Sequence, residues 1–229
     1  MSIKENIESI EKKIQAAKRR SGCKQNVEII AVTKTRPFSI IEEVYREGLL
    51  SVGENRVQEA ETKFKSFNKM PGFTRRFIGH LQSNKVKKCL RLFDTVDSVH
   101  KYKLLKKISI VAEQREKTIP VLLQINTSEE PQKNGFSPNQ TEDLLRCFEL
   151  KNVTIKGLMT VGPNTKDTKK IKDSFVLLRE LKSLINNHLN SNKISELSMG
   201  MSGDYEIAVE EGSTMVRLGT ALFGRRKYK

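Results

Sequence analysis

Short apolar runs alternate with longer helical patterns along the whole chain, and this alternation constrains its fold more than any other feature. Runs such as VEIIAV and IPVLLQI are apolar at almost every position, which is typical of parallel strands buried on both faces. The pattern predicts eight strands, at Val27–Thr33, Leu49–Gly53, Arg75–Gly79, Asp94–Val96, Ile119–Ile125, Thr154–Thr160, Ile194–Met199 and Thr214–Leu218. It predicts helices between them at Ser39–Glu47, Val57–Phe67, Ser83–Leu92, Lys101–Arg115, Pro138–Leu150, Thr168–Asn190 and Tyr205–Glu211.

Eight strand–helix units in 229 residues indicate an α/β fold, a single (β/α)8 TIM barrel in which the last strand closes on the first. We therefore expect one domain over residues 1–229. Residues 1–20 precede the first strand and carry Ile3, Ile7, Ile10 and Ile14 on one helical face, so we expect an amphipathic helix packed on the barrel. An open doubly wound sheet is the alternative fold, but the chain has no GxGxxG motif for it.

Local signals mark two of the helix starts. Ser137 followed by Pro138 is typical of an N-cap and a first-turn proline, so we expect a helix to begin there. Asp204 is expected to cap the short helix that Gly212 ends.

The chain is basic, with 42 lysines and arginines against 27 acidic residues and a net charge of +15. This balance raises the alternative of a nucleic-acid-binding module. However, the lysines alternate with acidic residues, and the densest basic segments, Lys18–Arg20 and Arg225–Lys229, lack the interleaved aromatic residues that stack on bases. We therefore expect a solvated basic surface that attracts anionic ligands, and no nucleic-acid partner.

The cysteines and the hydropathy of the chain indicate a cytoplasmic protein. Cys23, Cys89 and Cys147 are an odd number, lie far apart and form no CxxC motif, which is typical of reduced thiols. The charged N-terminal segment lacks the apolar core of a secretory signal, and no apolar run reaches the roughly 18 residues of a membrane span. The histidines and cysteines also lack the spacing of metal ligands, so we expect no metal site and no membrane partner.

In a barrel of this kind, functional residues lie at the C-terminal ends of the strands. Lys34 directly follows the first run, EIIAVT, and is therefore expected at that end. Burial there disfavours the ammonium form, and the free amine is a nucleophile toward an aldehyde. The alternative is a lysine that extends into solvent. Other polar residues at the predicted strand ends are Glu54, Asn55, Arg56, His80, Gln82, Asp97, Ser98, Asn126, Thr160 and Arg217.

Two glycine-containing segments follow the last two predicted strands. MGMSGD contains Ser202, and LGT contains Gly219 and Thr220, so both combine a flexible backbone with a hydroxyl group. Barrels often bind phosphate through the loops after strands seven and eight. Ordinary turn glycines are the alternative for either segment alone. Both segments, together with Lys34, favour a phosphate-bearing ligand.

Several segments carry a resemblance to the pyridoxal phosphate homeostasis protein family. In chain order they are AVTKTRP, GENRVQE, FIGHLQSNK, VLLQINTSEEPQKNGF, KGLMTVGP and ELSMGMSGDYEIAVEEGSTMVRLGTALFGRR, and they span essentially the whole chain. The resemblance implies a barrel like that of alanine racemase, in which Lys34 holds pyridoxal 5′-phosphate (PLP) as a Schiff base. It also implies PLP contacts from Ser202, Gly219 and Thr220 to the phosphate, from Arg217 to the pyridine nitrogen, and from loop positions Asn55 and His80. Gly203 departs from the family pattern, in which an acidic residue is frequent.

The resemblance implies a cofactor handler more than an enzyme. A cation beside the ring nitrogen, as implied for Arg217, disfavours protonation of that nitrogen and makes PLP a weaker electron sink. Racemisation also needs a base on each face of the substrate carbon, and alanine racemases use a further β-rich domain and a partner's tyrosine, which we do not expect here.

We therefore expect a monomeric protein of intracellular PLP homeostasis that buffers, protects or delivers PLP, without clear catalytic turnover. PLP-dependent apoenzymes would be its recipients. The alternative is a PLP-dependent racemase or related enzyme that acts on a small amino acid. A basic nucleic-acid or partner-binding module with a vestigial pocket is the third possibility.

Overall fold

The computed structural model describes residues 2–64 and 70–224, which contain a closed barrel of eight parallel strands. The strands follow the chain order around the barrel: β1 (Glu28–Val32), β2 (Ser51–Glu54), β3 (Thr74–Phe77), β4 (Thr95–Val99), β5 (Ile119–Gln124), β6 (Val153–Met159), β7 (Glu196–Met201) and β8 (Met215–Leu218). The helices are α1 (Ile3–Ser21), α2 (Phe38–Arg46), α3 (Val57–Lys63), α4 (Val86–Leu92), α5 (Tyr102–Glu113), α6 (Thr141–Arg146), α7 (Thr168–His188), α8 (Tyr205–Glu210) and α9 (Thr220–Phe223). The predicted (β/α)8 barrel with an extra N-terminal helix is confirmed.

The barrel closes between the first and last strands. β1 pairs with β8 in parallel, with Ile30 opposite Arg217. Ile30 packs inside the barrel with Met215, and residues two apart on a strand share a face. Arg217 therefore points into the barrel interior, above Met215 and toward the C-terminal ends of the strands, which we call the mouth.

Helix α1 packs its apolar face on the outside of this closure. Its buried residues are Ile3, Ile7, Ile10, Ile14 and Ala17. They belong to one apolar cluster that also contains Val44 of α2, Val209 of α8 and Val216 of β8. Each buried isoleucine side chain contributes about 1.5–3 kcal/mol to stability, so this helix is an integral part of the fold.

One predicted helix start is wrong. Helix α6 begins at Thr141 rather than at Pro138. Ser137 and Gln140 instead close a turn: the Gln140 N–H donates to the Ser137 carbonyl oxygen at 3.0 Å, and the Ser137 N–H donates to Gln140 Oε1 at 3.1 Å. A serine before a proline has the same local pattern in such a turn as at a helix start.

Most predicted element ends differ from the structure by a few residues. β4 continues to Val99, so Ser98 lies within the strand rather than beyond it. α3 ends at Lys63, and residues 65–67 of the predicted helix Val57–Phe67 lie outside the described residues. The basic segment Arg225–Lys229 also lies outside them.

An ion cluster fills the end of the barrel opposite the mouth. Arg76 donates to Ser51 Oγ at 2.8 Å, to Glu28 Oε2 at 3.0 Å and to Asp97 Oδ2 at 3.3 Å. Thr95 donates its hydroxyl proton to Asp97 Oδ1 at 2.7 Å. Glu28 and Ser51 are the first residues of their strands, which places the cluster at the N-terminal end. The expectation that Asp97 lies at the mouth is therefore wrong, because its partner Arg76 holds it lower in the barrel.

The remaining sequence features concern cysteines, membranes and metals. Cys89 and Cys147 are buried and Cys23 is half-buried, and all three are free thiols. Across residues 2–64 and 70–224, no helix combines the length and the apolarity needed to cross a membrane. The same residues contain no group of three or more His, Cys, Asp or Glu side chains arranged to hold a metal ion.

Candidate functional site

A cavity of about 480 Å³ opens at the mouth of the barrel, across the junction of β1 and β8. Its volume lies in the range of sites for small molecules and cofactors. Six of the seven residues predicted for the site line it: Lys34, Asn55, Ser202, Arg217, Gly219 and Thr220. The cavity therefore combines a primary amine, two hydroxyl groups and a buried cation.

Lys34 enters the cavity from the turn that follows β1. The residue is half-buried, and the backbone on either side of it is held by hydrogen bonds. The Thr33 N–H donates to the Gly53 carbonyl oxygen at 3.2 Å, and the Arg36 N–H donates to the Thr33 carbonyl oxygen at 2.9 Å. Thr35 has a φ of +64°, a left-handed conformation that β-branched residues rarely adopt.

The two glycine-containing loops meet on the other side of the cavity. The Ala221 N–H donates to Ser202 Oγ at 3.0 Å, which links the loop after β7 to the start of α9. Gly203 faces open space, because a Cβ built on it would have nothing within 4 Å. The loop therefore does not require a glycine at position 203, where the family pattern has an acidic residue.

Asp204 has the predicted position but a different hydrogen bond. It occupies the N-cap position of α8, yet its side chain makes no capping bond to that helix. Asp204 Oδ1 instead accepts the Met201 N–H at 2.6 Å and closes the loop that carries Ser202. Burial raises the pKa of Asp204, and this hydrogen bond opposes the change.

Arg217 supplies a fixed positive charge in the floor of the cavity. Only 5% of the residue is exposed, and its guanidinium donates to the carbonyl oxygens of Ser198, at 2.7 Å, and Thr160, at 2.6 Å. It also donates to Ser198 Oγ at 2.9 Å. Burial lowers the pKa of Arg217 to about 10, so the side chain still carries its charge at neutral pH.

Asn55 and His80 differ in their relation to the cavity. Asn55 lines it, and its Oδ1 is buried without a hydrogen-bond partner among the described residues. His80 is exposed and stacks on His100 with ring centroids 4.6 Å apart. It lines a neighbouring cavity of about 270 Å³, which shares Gly79 and two other residues with the first. The geometry brings Asn55 to the Lys34 cavity and leaves His80 beside it.

Sequence reasoning missed Arg36, which also lines the cavity. Its guanidinium donates to the carbonyl oxygens of Phe223 and Gly224, each at 3.3 Å, and lies 5.6 Å from the centre of the Phe223 ring. Arg36 thereby ties the turn after β1 to the C-terminal end of α9. Its place two residues after Lys34 was the only signal in the sequence.

A buried ion network beneath the Lys34 turn was also missed. Lys63 Nζ donates to Glu54 Oε1, to Glu59 Oε1 at 3.0 Å and to the Thr33 carbonyl oxygen at 2.9 Å. Thr33 donates its hydroxyl proton to the same Glu54 oxygen at 2.6 Å. The Thr35 N–H donates to Glu59 Oε1. Burial raises the pKa of Glu54, whereas the bonds from Lys63 and Thr33 oppose that change.

Comparison with known proteins gives matches over nearly the whole chain. The family model described as alanine racemase, N-terminal domain, matches residues 6–227. The pyridoxal phosphate homeostasis protein of Vibrio cholerae is 38% identical over 235 residues, which cover 99% of this chain and 98% of the relative. The protein of the same name from Aquifex aeolicus is 36% identical over 230 residues and covers 100% of both chains.

Solved structures also match this chain over nearly its whole length. PipY of Synechococcus elongatus with PLP bound has a TM-score of 0.84 and 32% sequence identity to this chain. The match covers 97% of this chain and 100% of PipY. PipY without PLP matches with a TM-score of 0.87.

Proposed function

The chain belongs to the alanine racemase N-terminal domain family and, within it, to the pyridoxal phosphate homeostasis proteins, and from this we propose that it binds PLP as a Schiff base on Lys34. The observation that carries the proposal is that one cavity unites the Lys34 side chain with Ser202, Thr220 and Arg217. The Lys34 amine fits an aldehyde, the hydroxyl groups of Ser202 and Thr220 fit a phosphate, and the Arg217 guanidinium fits a ring nitrogen.

Each group of the cavity has a separate task in this proposal. The Lys34 amine bonds to the aldehyde carbon, and the aldehyde oxygen leaves as water, so no other reactant is needed. Ser202 and Thr220 offer hydroxyl groups to the phosphate, and the bond from the Ala221 N–H to Ser202 Oγ supports this assignment because it joins the two loops that carry them. PLP supplies a reactive aldehyde and an electron-withdrawing ring, and Lys34 keeps that aldehyde from other amines.

Arg217 disfavours transamination-type chemistry on the cofactor, although it does not forbid racemisation. Its three hydrogen bonds leave the guanidinium fixed and charged in the cavity wall. A permanent cation beside the ring nitrogen keeps a proton off that nitrogen, and the neutral ring withdraws electrons less strongly. We therefore propose a role in PLP homeostasis, in which the protein buffers, protects or delivers the cofactor.

A PLP-dependent racemase is the second candidate, because the fold is shared with alanine racemase. Such a reaction needs a base opposite Lys34. Tyr205 is 5% exposed, and burial raises its pKa to about 12. Tyr45 donates its hydroxyl proton to the Pro71 carbonyl oxygen at 3.1 Å. Neither tyrosine lines the Lys34 cavity.

The proposal also includes the setting of the protein. We infer a monomer in the cytoplasm, with PLP-dependent apoenzymes as recipients. The three free thiols support a reducing compartment. Sedimentation of the purified protein at several concentrations tests the monomer: we expect the chain mass of 26.2 kDa at every concentration, whereas a dimer would give a larger mass, up to twice that value.

Borohydride reduction followed by peptide mass spectrometry tests the Schiff base directly. We expect the reduced adduct on Lys34 and none in Lys34→Ala. Lys85→Ala is a matched control, because Lys85 is also half-buried at the mouth but lines a neighbouring cavity. An adduct on another lysine would contradict the proposal. Steady racemisation of an amino acid that Lys34→Ala abolishes would refute the non-catalytic role.

A further inference from the structure

The Lys34 turn rests on a buried charge network that the binding of PLP does not explain by itself. Glu54 ends β2 and is fully buried, and Lys63 ends α3 and is 8% exposed. Glu59 lies one helical turn before Lys63 and completes an ion triad, in which Glu54 and Lys63 are the buried members and the Glu59 side chain is 24% exposed. We call these three residues the buried triad.

The triad contacts the backbone or side chain of both neighbours of Lys34. Thr33 donates to Glu54 and accepts from Lys63, whereas the Thr35 N–H donates to Glu59. These contacts leave the Lys34 side chain directed at the cavity. The triad therefore fixes the two residues between which Lys34 is held.

Stability alone is a poor reason to keep such a network. Burying an ion pair costs desolvation energy, and well-packed apolar residues often replace one with no loss of stability. One oxygen of Glu54, Oε2, is also buried without a partner among the described residues. Thr35 adds a left-handed φ of +64°, which the Glu59 bond holds in place. These costs are concentrated directly beneath one side chain, that of Lys34.

We propose that the buried triad positions Lys34, so that its amine meets the aldehyde of a ligand already held by the rest of the cavity. This inference rests on the proposed function, since it assigns a role toward PLP. Lys63, Glu54 and Glu59 are positioning residues, because none of the three lines the cavity. Their effect is on the formation of the covalent bond, and the phosphate and ring contacts are independent of them.

Two ligands distinguish an effect on the position of Lys34 from a general disturbance of the cavity. Pyridoxine 5′-phosphate has a hydroxymethyl group in place of the aldehyde, so it measures the non-covalent contacts alone. In Lys63→Met we expect the affinity for PLP to fall at least about tenfold relative to pyridoxine 5′-phosphate, because a small misplacement of reacting groups has effects of this size. The affinity for pyridoxine 5′-phosphate should stay within about twofold of wild type, which is under 0.5 kcal/mol.

Two further variants calibrate the measurement. Lys34→Ala should bring the affinities for the two ligands together, which defines complete loss of the covalent contribution. Lys88→Met is the matched control, because Lys88 pairs with Glu61 on the partly exposed surface and should leave the ratio unchanged. Glu59→Ala serves if Lys63→Met fails to fold, since the Glu59 side chain is 24% exposed and its loss frees the Thr35 N–H.

The outcomes separate this inference from the proposed function. If Lys63→Met and Glu59→Ala weaken both ligands equally, or leave the ratio unchanged, the positioning role is wrong while Lys34 still carries the reduced adduct. If wild type binds both ligands equally and borohydride labels no Lys34, both proposals are overturned. A lowered ratio in either triad variant, with pyridoxine 5′-phosphate unaffected, supports the positioning role.

Discussion

Replacing Arg76 by Met tests the ion cluster at the closed end of the barrel. The substitution removes the three hydrogen bonds from the guanidinium to Ser51, Glu28 and Asp97. Asp97, which is fully buried, then keeps only its bond from Thr95. Breaking a buried pair in this way costs about 3–5 kcal/mol of unfolding free energy, because a charge is left without its partner.

Protonation of Asp97 limits how much free energy the unpaired charge can cost. Asp97 can take up a proton instead of remaining ionised, and its ordinary pKa is 3.8. Neutralising such a group at pH 7 costs about 4 kcal/mol, at about 1.36 kcal/mol for each of roughly three pH units. Burial already raises the pKa of Asp97, and the loss of Arg76 raises it further, because Arg76 is the main opposing charge.

The pH dependence of the stability of Arg76→Met follows from the raised pKa of Asp97. The folded protein binds the proton of Asp97 more tightly than the unfolded chain does. Stability is therefore highest at low pH and falls as the pH rises from about 4 toward the raised pKa, with a slope of about 1.4 kcal/mol per pH unit for one proton. In wild type the same decrease should cover a narrower pH range.

Urea denaturation between pH 4 and pH 8 measures both quantities. Arg75→Met is the matched control, because Arg75 precedes Arg76 but pairs with Asp94, which is 39% exposed. That pair should contribute about 1 kcal/mol or less, with no added slope. The double variant Arg76→Met/Asp97→Leu should recover part of the stability and lose the part of the slope that belongs to Asp97, whereas Glu196, whose raised pKa Arg76 also opposes, keeps its own contribution. An Arg76→Met protein with wild-type stability and a parallel pH profile would refute the argument.

Three further predictions concern packing and thiol exposure. A Cβ on Gly157 would lie 1.9 Å from the Glu196 carbonyl oxygen, so Gly157→Ala should destabilise by about 1–3 kcal/mol or more, whereas Gly203→Ala should stay within about 0.5 kcal/mol. Urea denaturation checks both, and equal stabilities would contradict the clash. Ile10→Ala should cost about 2–4 kcal/mol, because Ile10 is buried between α1 and the barrel, and a cost below about 1 kcal/mol would show that α1 is dispensable. Burial raises the pKa of Cys147 to about 12 and raises that of Cys89, so a thiol reagent should modify at most Cys23 in the folded protein and all three cysteines in urea. Rapid modification of Cys147 without urea would contradict that burial.

The sequence predicted the barrel well because its signal is local and repeated. Each continuous apolar run, such as that around β5, corresponds to one strand of the structure, and the ends differ by a few residues. Lys34 and Ser202 were found by the same logic, since residues after strands of a parallel barrel gather at one end. Arg217 and Asn55 also lie where this rule places them.

Other features could not be predicted because they depend on contacts between distant elements. Asp97 has the pattern of a residue at a strand end, and only the register between β3 and β4 shows that it pairs with Arg76. The buried triad needs the packing of α3 under β2, which no spacing in GENRVQEAETK reveals. Lys63 looks like a surface lysine in a charged helix, yet it is 8% exposed.

Under the proposed function, the position of the cavity across the junction of β1 and β8 ties the capture of PLP to the order of protein synthesis. A ribosome releases β1 and Lys34 early, but Ser202, Arg217 and Thr220 emerge only with the last two strands. A nascent chain therefore carries Lys34 for most of translation without the other groups that line the cavity. The site becomes competent only when the ring of strands closes, and a ligand bound there then favours the closed state by mass action. Occupancy of the cavity would then report that β7 and β8 have been made and that the barrel has closed.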